Sequence, residues 1–291
     1  MRRRLSFAFA ALAALGAAAA ENPATGFMEV LRPSADAALY LDTAQGKRGV
    51  DPELDRQIGE KLAALRKEEG DPLAKPFLLA ANVDLLSRDP LRIMADGRIR
   101  FEDIASITNL VAAWNQVGDK ESGPRLKLTL GENREDGCPF DLLFNQAARV
   151  PRGGSGPSPV FARVLAAMRA GDPFFVLVFS GRRFAPFAKD VDTMRFLFSS
   201  EVVGIRVAID GKLVRFTVMV SFVDEETATE NASFGDRAAK QLVSGVLDGA
   251  FRDFKVSRDD LAVTYSFVAD NAKIWGMDEV RKDDGQKPVT Q

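Results

Sequence analysis

The chain contains no histidine. That removes His-ligated zinc, Ser-His-Asp and Cys-His nucleophile systems, and imidazole acid–base chemistry. Cys138 is the single cysteine, so no disulfide forms within the chain. Glu135 and Asp136 stand just before it, and neighbouring carboxylates disfavour a thiolate; it reads as a structural thiol. Tyrosine and tryptophan are scarce, two of each against 21 phenylalanines. Sugar-binding platforms favour aromatics with a polar handle, so the phenylalanines read as core. Excess basic charge is also missing. The 291 residues carry 39 Lys+Arg against 41 Asp+Glu, and removing Arg2, Arg3 and Arg4 of the leader leaves 36 against 41. A net acidic chain excludes broad, charge-driven binding of nucleic acid. No cofactor, metal or nucleic acid is expected.

What is present is globular: 46% hydrophobic and 27% charged residues, enough to bury a core without disulfides or structural metal. Residues 1–20, MRRRLSFAFAALAALGAAAA, read as a bacterial signal peptide, with a basic start, an apolar stretch and Ala18-x-Ala20 before Glu21. Cleavage there leaves a soluble protein, periplasmic or extracellular. No later run reaches the roughly 18 apolar residues of a membrane helix, so no transmembrane segment follows the leader. The mature chain divides into an N-terminal α+β module over 21–150, a Gly/Pro/Ser linker over 151–159 (PRGGSGPSP), a C-terminal α+β module over 160–280 and a polar tail over 281–291.

Local pattern fills in these modules. Ala38–Leu41 reads as a buried strand. Asp51-Pro52-Glu53 opens a helix whose Leu54, Ile58, Leu62 and Leu65 form one stripe. Leu78–Leu86 reads as a helix, because Asn82 and Asp84 suit a surface helix better than a sheet. Ile104–Trp114 reads as a strand, able to pair with the alternating Leu126–Leu130. A short helix over Val160–Met168 and a continuous apolar strand over Phe174–Phe179 follow. Val203, Ile205, Val207 and Ile209 alternate, Asp210-Gly211 makes a turn, and Val214, Phe216, Val218, Val220 and Phe222 alternate on the return. Leu242–Phe254 has the spacing of a broad-faced helix, and Leu261–Val268 supplies a last strand. The resulting fold class is α+β: a mainly antiparallel sheet with helices packed on one face. Its C-terminal half is arranged as a ferredoxin-like split βαβ, possibly one of two related modules.

Several motifs resemble chemistry and lack its parts. Ala95–Asp103 has the Gly-centred look of a calcium loop, but Arg92 and Met94 occupy the positions of its first two oxygen ligands, so it reads as a turn around Gly97. Gly153-Gly154-x-Gly156 lacks the Lys-Ser/Thr of a phosphate loop. Asn231-Ala232-Ser233 matches a glycosylation acceptor, a motif with little meaning behind a bacterial leader. Asp190 and Asp192, with Arg182 and Arg183, share one loop after the apolar strand. They are the catalytic candidates, with mutual surface pairing as the plainer reading.

Two stretches resemble uncharacterised exported proteins of Planctomycetes, Verrucomicrobia and Lentisphaerae. One is Pro33-Ser34-Ala35-Asp36 running into Ala38–Leu41. The other is the Val203–Phe222 hairpin, with Asp224-Glu225-Glu226 leading into the long helix and last strand. The resemblance implies an antiparallel α+β fold and a cell-envelope setting, and it transfers no catalytic residue. The leading expectation is a non-enzymatic binding or interaction protein of the periplasm or cell envelope, its partner a protein or another envelope component. The alternatives are a carboxylate-based hydrolase, in which Asp190 or Asp192 acts and Arg182 or Arg183 orients substrate, and a carrier of an apolar ligand held between sheet and helix.

Overall fold

Period-two alternation builds most of the described part of this molecule. In the computed structural model, residues 24–42, 77–88, 91–101, 126–132, 137–144, 158–185, 200–210, 213–245 and 251–270 are described, with Thr108, Val111, Ala112 and Asn115 besides. Ten strands form one sheet: β1 Ala37–Asp42, β2 Phe77–Arg88, β3 Leu91–Phe101, β4 Leu126–Leu130, β5 Cys138–Phe144, β6 Phe175–Ser180, β7 Ser200–Asp210, β8 Leu213–Phe222, β9 Phe251–Asp259 and β10 Ala262–Asp270. Their order is β4-β5-β3-β2-β1-β6-β7-β8-β10-β9, and every pairing is antiparallel. Helices delimited among the described residues are α1 Ala24–Met28, α2 Pro159–Arg169, α3 Gly181–Phe184 and α4 Glu225–Gly245.

β1 joins the two halves of the chain, pairing with β2 on one side and β6 on the other (Tyr40 opposite both Ala80 and Val176). The halves therefore share one sheet. They also share a core, because Phe27, Leu31, Tyr40 and Leu78 from the first pack with Phe161, Val164, Leu165 and Val176 from the second. The C-terminal half does not interleave its strands as a split βαβ would. β6, β7 and β8 are neighbours in chain order, and β7 and β8 pair from Asp210 opposite Leu213, on either side of the short break between them.

Helices cover both faces of the sheet, not one. The first face carries Ala38 and Tyr40 of β1 and Val176 and Val178 of β6, and α2 lies on it through Phe161, Val164, Leu165 and Met168. Ser158 caps α2, its hydroxyl accepting from Phe161 N–H at 3.3 Å, with Pro159 at the first helical position. Gly204 permits this approach: a Cβ there would stand 2.6 Å from Val164 Cγ1. The second face carries Val203, Val220, Phe222 and Val263, packed against Ala228 of α4. Asp224 caps α4, accepting from Thr227 N–H at 2.8 Å; that bond holds its carboxyl below the usual aspartate pKa.

Four local expectations need correction. Leu78–Leu86 is strand β2 instead of a helix, with Asn82 fully buried on the first face. Gly97 is not at a turn: it lies within β3, opposite Ala81. Thr108, Val111 and Ala112, within the strand expected over Ile104–Trp114, are helical, as is Asn115 just beyond it; β4 pairs with β5 instead. Asn115 closes part of the outer edge of β4, its side chain donating to Leu126 O and accepting from Leu126 N–H, both at 2.8 Å. Finally, the helix expected over Leu242–Phe254 stops at Gly245, and Phe251 begins β9. The hairpin, the strands over Ala38–Leu41 and Phe174–Phe179, and the helix over Val160–Met168 stand as expected, within a residue or two. The leader, the Asp51 helix and most of the linker lie outside the described residues.

The hairpin register makes a stability prediction. Val218 points at the α4 cluster, whereas Thr217, next along the strand, lies on the opposite face beside Arg206 and Ser266. Val218→Asp is expected to cost about 2–4 kcal/mol, because its carboxylate would be desolvated among apolar side chains. Thr217→Asp should cost under about 1 kcal/mol. Urea melts of the two variants check this, and equal losses would mean that the faces are assigned wrongly.

Tyr265 makes a second. Its hydroxyl donates to Asn231 O at 3.1 Å, and α4 passes over its ring at Gly235, where a Cβ would collide with Tyr265 Cε1. Burial pushes its pKa above the ordinary 10.0. A folded value above the unfolded one stabilises the fold at lower pH, and that contribution is lost as pH rises past about 10. Tyr265→Phe should therefore flatten the alkaline fall of the melting temperature. A fall as steep as the parent's would place its cause elsewhere.

Candidate functional site

A cluster of charged side chains lies on the first face, where the turn after α1 meets β2 and β3. Phe27, Met28 and Leu31 are buried and pin this turn to the sheet, and Val30 N–H and Leu31 N–H close it on Phe27 O and Met28 O. Asn82 is the brace beneath. Its Oδ1 accepts from Arg32 N–H at 2.7 Å, and its Nδ2 donates to Val30 O at 3.1 Å and Asp96 O at 3.5 Å. Alternation places Asp84 on the same face of β2 as Asn82, and pairing places Asp96 of β3 opposite Asn82.

Arg32 spans the two carboxylates. Its Nη2 donates to Asp96 Oδ1 at 2.6 Å and to Asp84 Oδ2 at 3.1 Å. Burial pushes the guanidinium pKa down, while the bond to Asp84 and the fields of Asp96 and Asp84 push it up, and the balance lies above the usual arginine value. Alongside, Asp36 accepts from Arg183 Nε at 2.9 Å and Nη2 at 3.3 Å and from Leu85 N–H at 2.8 Å. The arrangement is an alternation of acid and base fixed to backbone, each charge facing its opposite.

Beside this cluster is an open hollow of about 250 Å³ between β3, β5 and β4. Asp96 and Asp141 stand directly across from one another on β3 and β5, and Thr129 of β4 faces Asp141. Gly97, Gly131 and Pro139 also line it. Gly131 N–H donates to Pro139 O at 2.8 Å, and the Cys138 thiol donates to Gly131 O at 3.3 Å. The buried Cys138 therefore serves as a strut. Among the described residues no three His, Cys, Asp or Glu side chains are grouped to hold a metal ion, and no helix is long and apolar enough to cross a membrane.

The sequence candidates fare differently. Arg183 lies in α3 and is committed to Asp36, 147 positions earlier, rather than to its own loop. Arg182 is exposed in the same helix. Asp190 and Asp192 lie outside the described residues. Sequence reasoning missed Arg32, Asp36, Asn82, Asp84, Asp96 and Asp141. A signal for two of them was there: Asn82 and Asp84 sit two apart in an apolar run, the spacing that puts both on one face of a strand.

No family model matches the chain, and no curated protein matches it. Solved structures of TP0453 align with most of it. Crystal form I has 12% sequence identity and a TM-score of 0.39, covering 90% of this chain and 99% of that one. Form IV has 9% identity and a TM-score of 0.36, covering 86% and 96%. Form III has 9% identity and a TM-score of 0.34, covering 87% and 97%. Likeness at this level says nothing of what this chain binds or does.

Proposed function

We infer that this is an exported, non-enzymatic binding protein of the periplasm or cell envelope, which meets its partner at the hollow between β3, β4 and β5. The observation that carries the reading is the engagement of the carboxylates beside the hollow. Asp84 and Asp96 share one guanidinium, and Asp36 is taken by Arg183 and a backbone N–H. A carboxylate acting as acid or base must exchange its proton with substrate, and these are tied into the framework. The hollow itself is broad, polar and open, a shape that suits contact with another surface better than enclosure of a small substrate. The leader and the resemblance to exported α+β proteins support the envelope setting.

The test uses the full chain expressed with its leader. The exported protein should begin at Glu21 by intact mass, and a photo-crosslinker at Thr129 should join one envelope component, a join that Asp141→Lys abolishes. A crosslinker at the exposed Arg163, on the outer side of α2, should not capture it. Turnover of an ester or glycoside, lost in Asp96→Asn, would make the protein a hydrolase and sink this reading.

A further inference from the structure

The first face is covered by α2 only as far as Gly204, against which Val164 and Met168 pack. One row further along, four residues lie side by side across four strands. Arg206 of β7 faces Thr217 of β8, Thr217 faces Ser266 of β10, and Ser266 faces Lys255 of β9. Among the described residues no helix lies over this row: α4 sits on the opposite face, where its start bonds Arg258. Arg206 is the unusual member. Its Nε is buried with no hydrogen-bond partner, and burial pushes its pKa down with no carboxylate to offset it. Gly171 lets the guanidinium lie here, since a Cβ would stand 2.6 Å from Nη2. The Nε atoms of Arg32 and Arg169 are buried without a partner too, but both of those guanidiniums are anchored through Nη2, Arg32 on two carboxylates and Arg169 on a backbone carbonyl.

The next row brings Arg215, which has partners of its own, and the exposed Arg252, both aligned with Val268. Asp172 follows Gly171 and has an interaction of its own, and three further acids stand at the margins of the wing. Asp270 lies one row beyond Arg215, Asp259 is at the far end of β9, and Asp253 is at the bulge, in a left-handed conformation with φ of 55°. Cross-strand spacing of about 4.8 Å makes the Arg206–Lys255 row about 14 Å long, and the second row lies about 7 Å from it. A single oxyanion cannot bridge such a rectangle, whereas anionic groups repeated along a chain can. Groups over the first row also meet the hydroxyl-bearing Thr217 and Ser266, and the non-bridging oxygens of a phosphate accept from a guanidinium and a hydroxyl together.

We propose that this wing of the first face, centred on Arg206, Thr217, Ser266 and Lys255, is a docking surface for a linear phosphate-bearing polymer. It goes beyond the hollow at β3–β5 and does not depend on it. The probe is sodium polyphosphate, titrated into the full-length mature protein at low salt. Binding should weaken linearly in log–log form with added salt. It should fall at least tenfold in Arg206→Gln and in Lys255→Gln, and also in Thr217→Asp. Arg258→Gln, on the opposite face, should leave it unchanged. Lys255 is exposed, so its variant keeps the test valid should Arg206→Gln fold poorly. Absence of binding, or row variants that bind as tightly as the parent, overturns the proposal. So does equal affinity for dextran sulfate or for single-stranded DNA, which would assign the row to polyanions at large or to nucleic acid. The Thr129 crosslink is unaffected by any of these outcomes, so the two readings fail separately.

Discussion

Asn82→Leu is expected to destabilise the protein by about 3–5 kcal/mol, lowering the melting temperature by roughly 6–15 °C. Leucine fills much the same volume, so packing is not what the variant removes. It removes the acceptor of Arg32 N–H and the donor to Val30 O and Asp96 O at a fully buried position. Each backbone group left without a partner costs its own desolvation, about 1–3 kcal/mol. The turn after α1 would also lose its tie to β2, and with it the placement of Arg32 between Asp84 and Asp96. Ser34→Ala is the control: its hydroxyl accepts from Arg32 Nη1 at 3.5 Å in an exposed setting, and its loss should be within about 0.5 kcal/mol. Differential scanning calorimetry of the two decides it. Near-equal melting would show that water replaces Asn82 without cost.

Gly97→Ala should be more damaging still, by more than about 4 kcal/mol, and should reduce the yield of folded protein. One methyl group suffices, because a Cβ at Gly97 would collide with Ala80 O and stand 2.8 Å from Ala81 Cα. Both are backbone, so no side chain can swing aside; β2 and β3 would have to part at the middle of their ladder. The collision also distorts the wall of the hollow, since Gly97 is part of its lining. Gly26→Ala is the matched control, with nothing within 4 Å of its Cβ. Cooperative unfolding of Gly97→Ala at the parent's temperature would mean that the strands slip at little cost.

These two positions also show where sequence reading succeeds and fails. The β7–β8 hairpin is legible because an Asp-Gly pair between alternating runs encodes turn and register locally. Asn82 and Gly97 are illegible locally because their reasons lie elsewhere. Asn82 looks like a solvated residue until Val30 and Arg32, about 50 positions away, supply its partners. Gly97 looks like a turn until the backbone of β2 lies against it. The end of α4 fails differently: Leu242, Val243, Val246 and Leu247 continue to Phe251 and Phe254 at helical spacing, and that pattern hides a change of element after Gly245. The charged cluster was invisible for a related reason. Arg183 finds its carboxylate 147 positions away, and no window of sequence joins Asp36 to it.

The placement of β1 has a consequence for how the chain reaches this state. Ala38 faces Asn82 on one side and Val178 on the other, so its second partner follows about 140 residues later. During synthesis from the N-terminus, the first wing of strands is complete while that second edge is still bare. Closing so long a loop is entropically costly before any contact rewards it, and chains dominated by such pairings fold in milliseconds to seconds instead of microseconds. Over that interval the backbone of β1 offers unpaired donors and acceptors beside apolar Leu39 and Leu41, the kind of edge that recruits other chains. Folding yield should accordingly depend on protein concentration and on holding chaperones far more steeply than the equilibrium stability does.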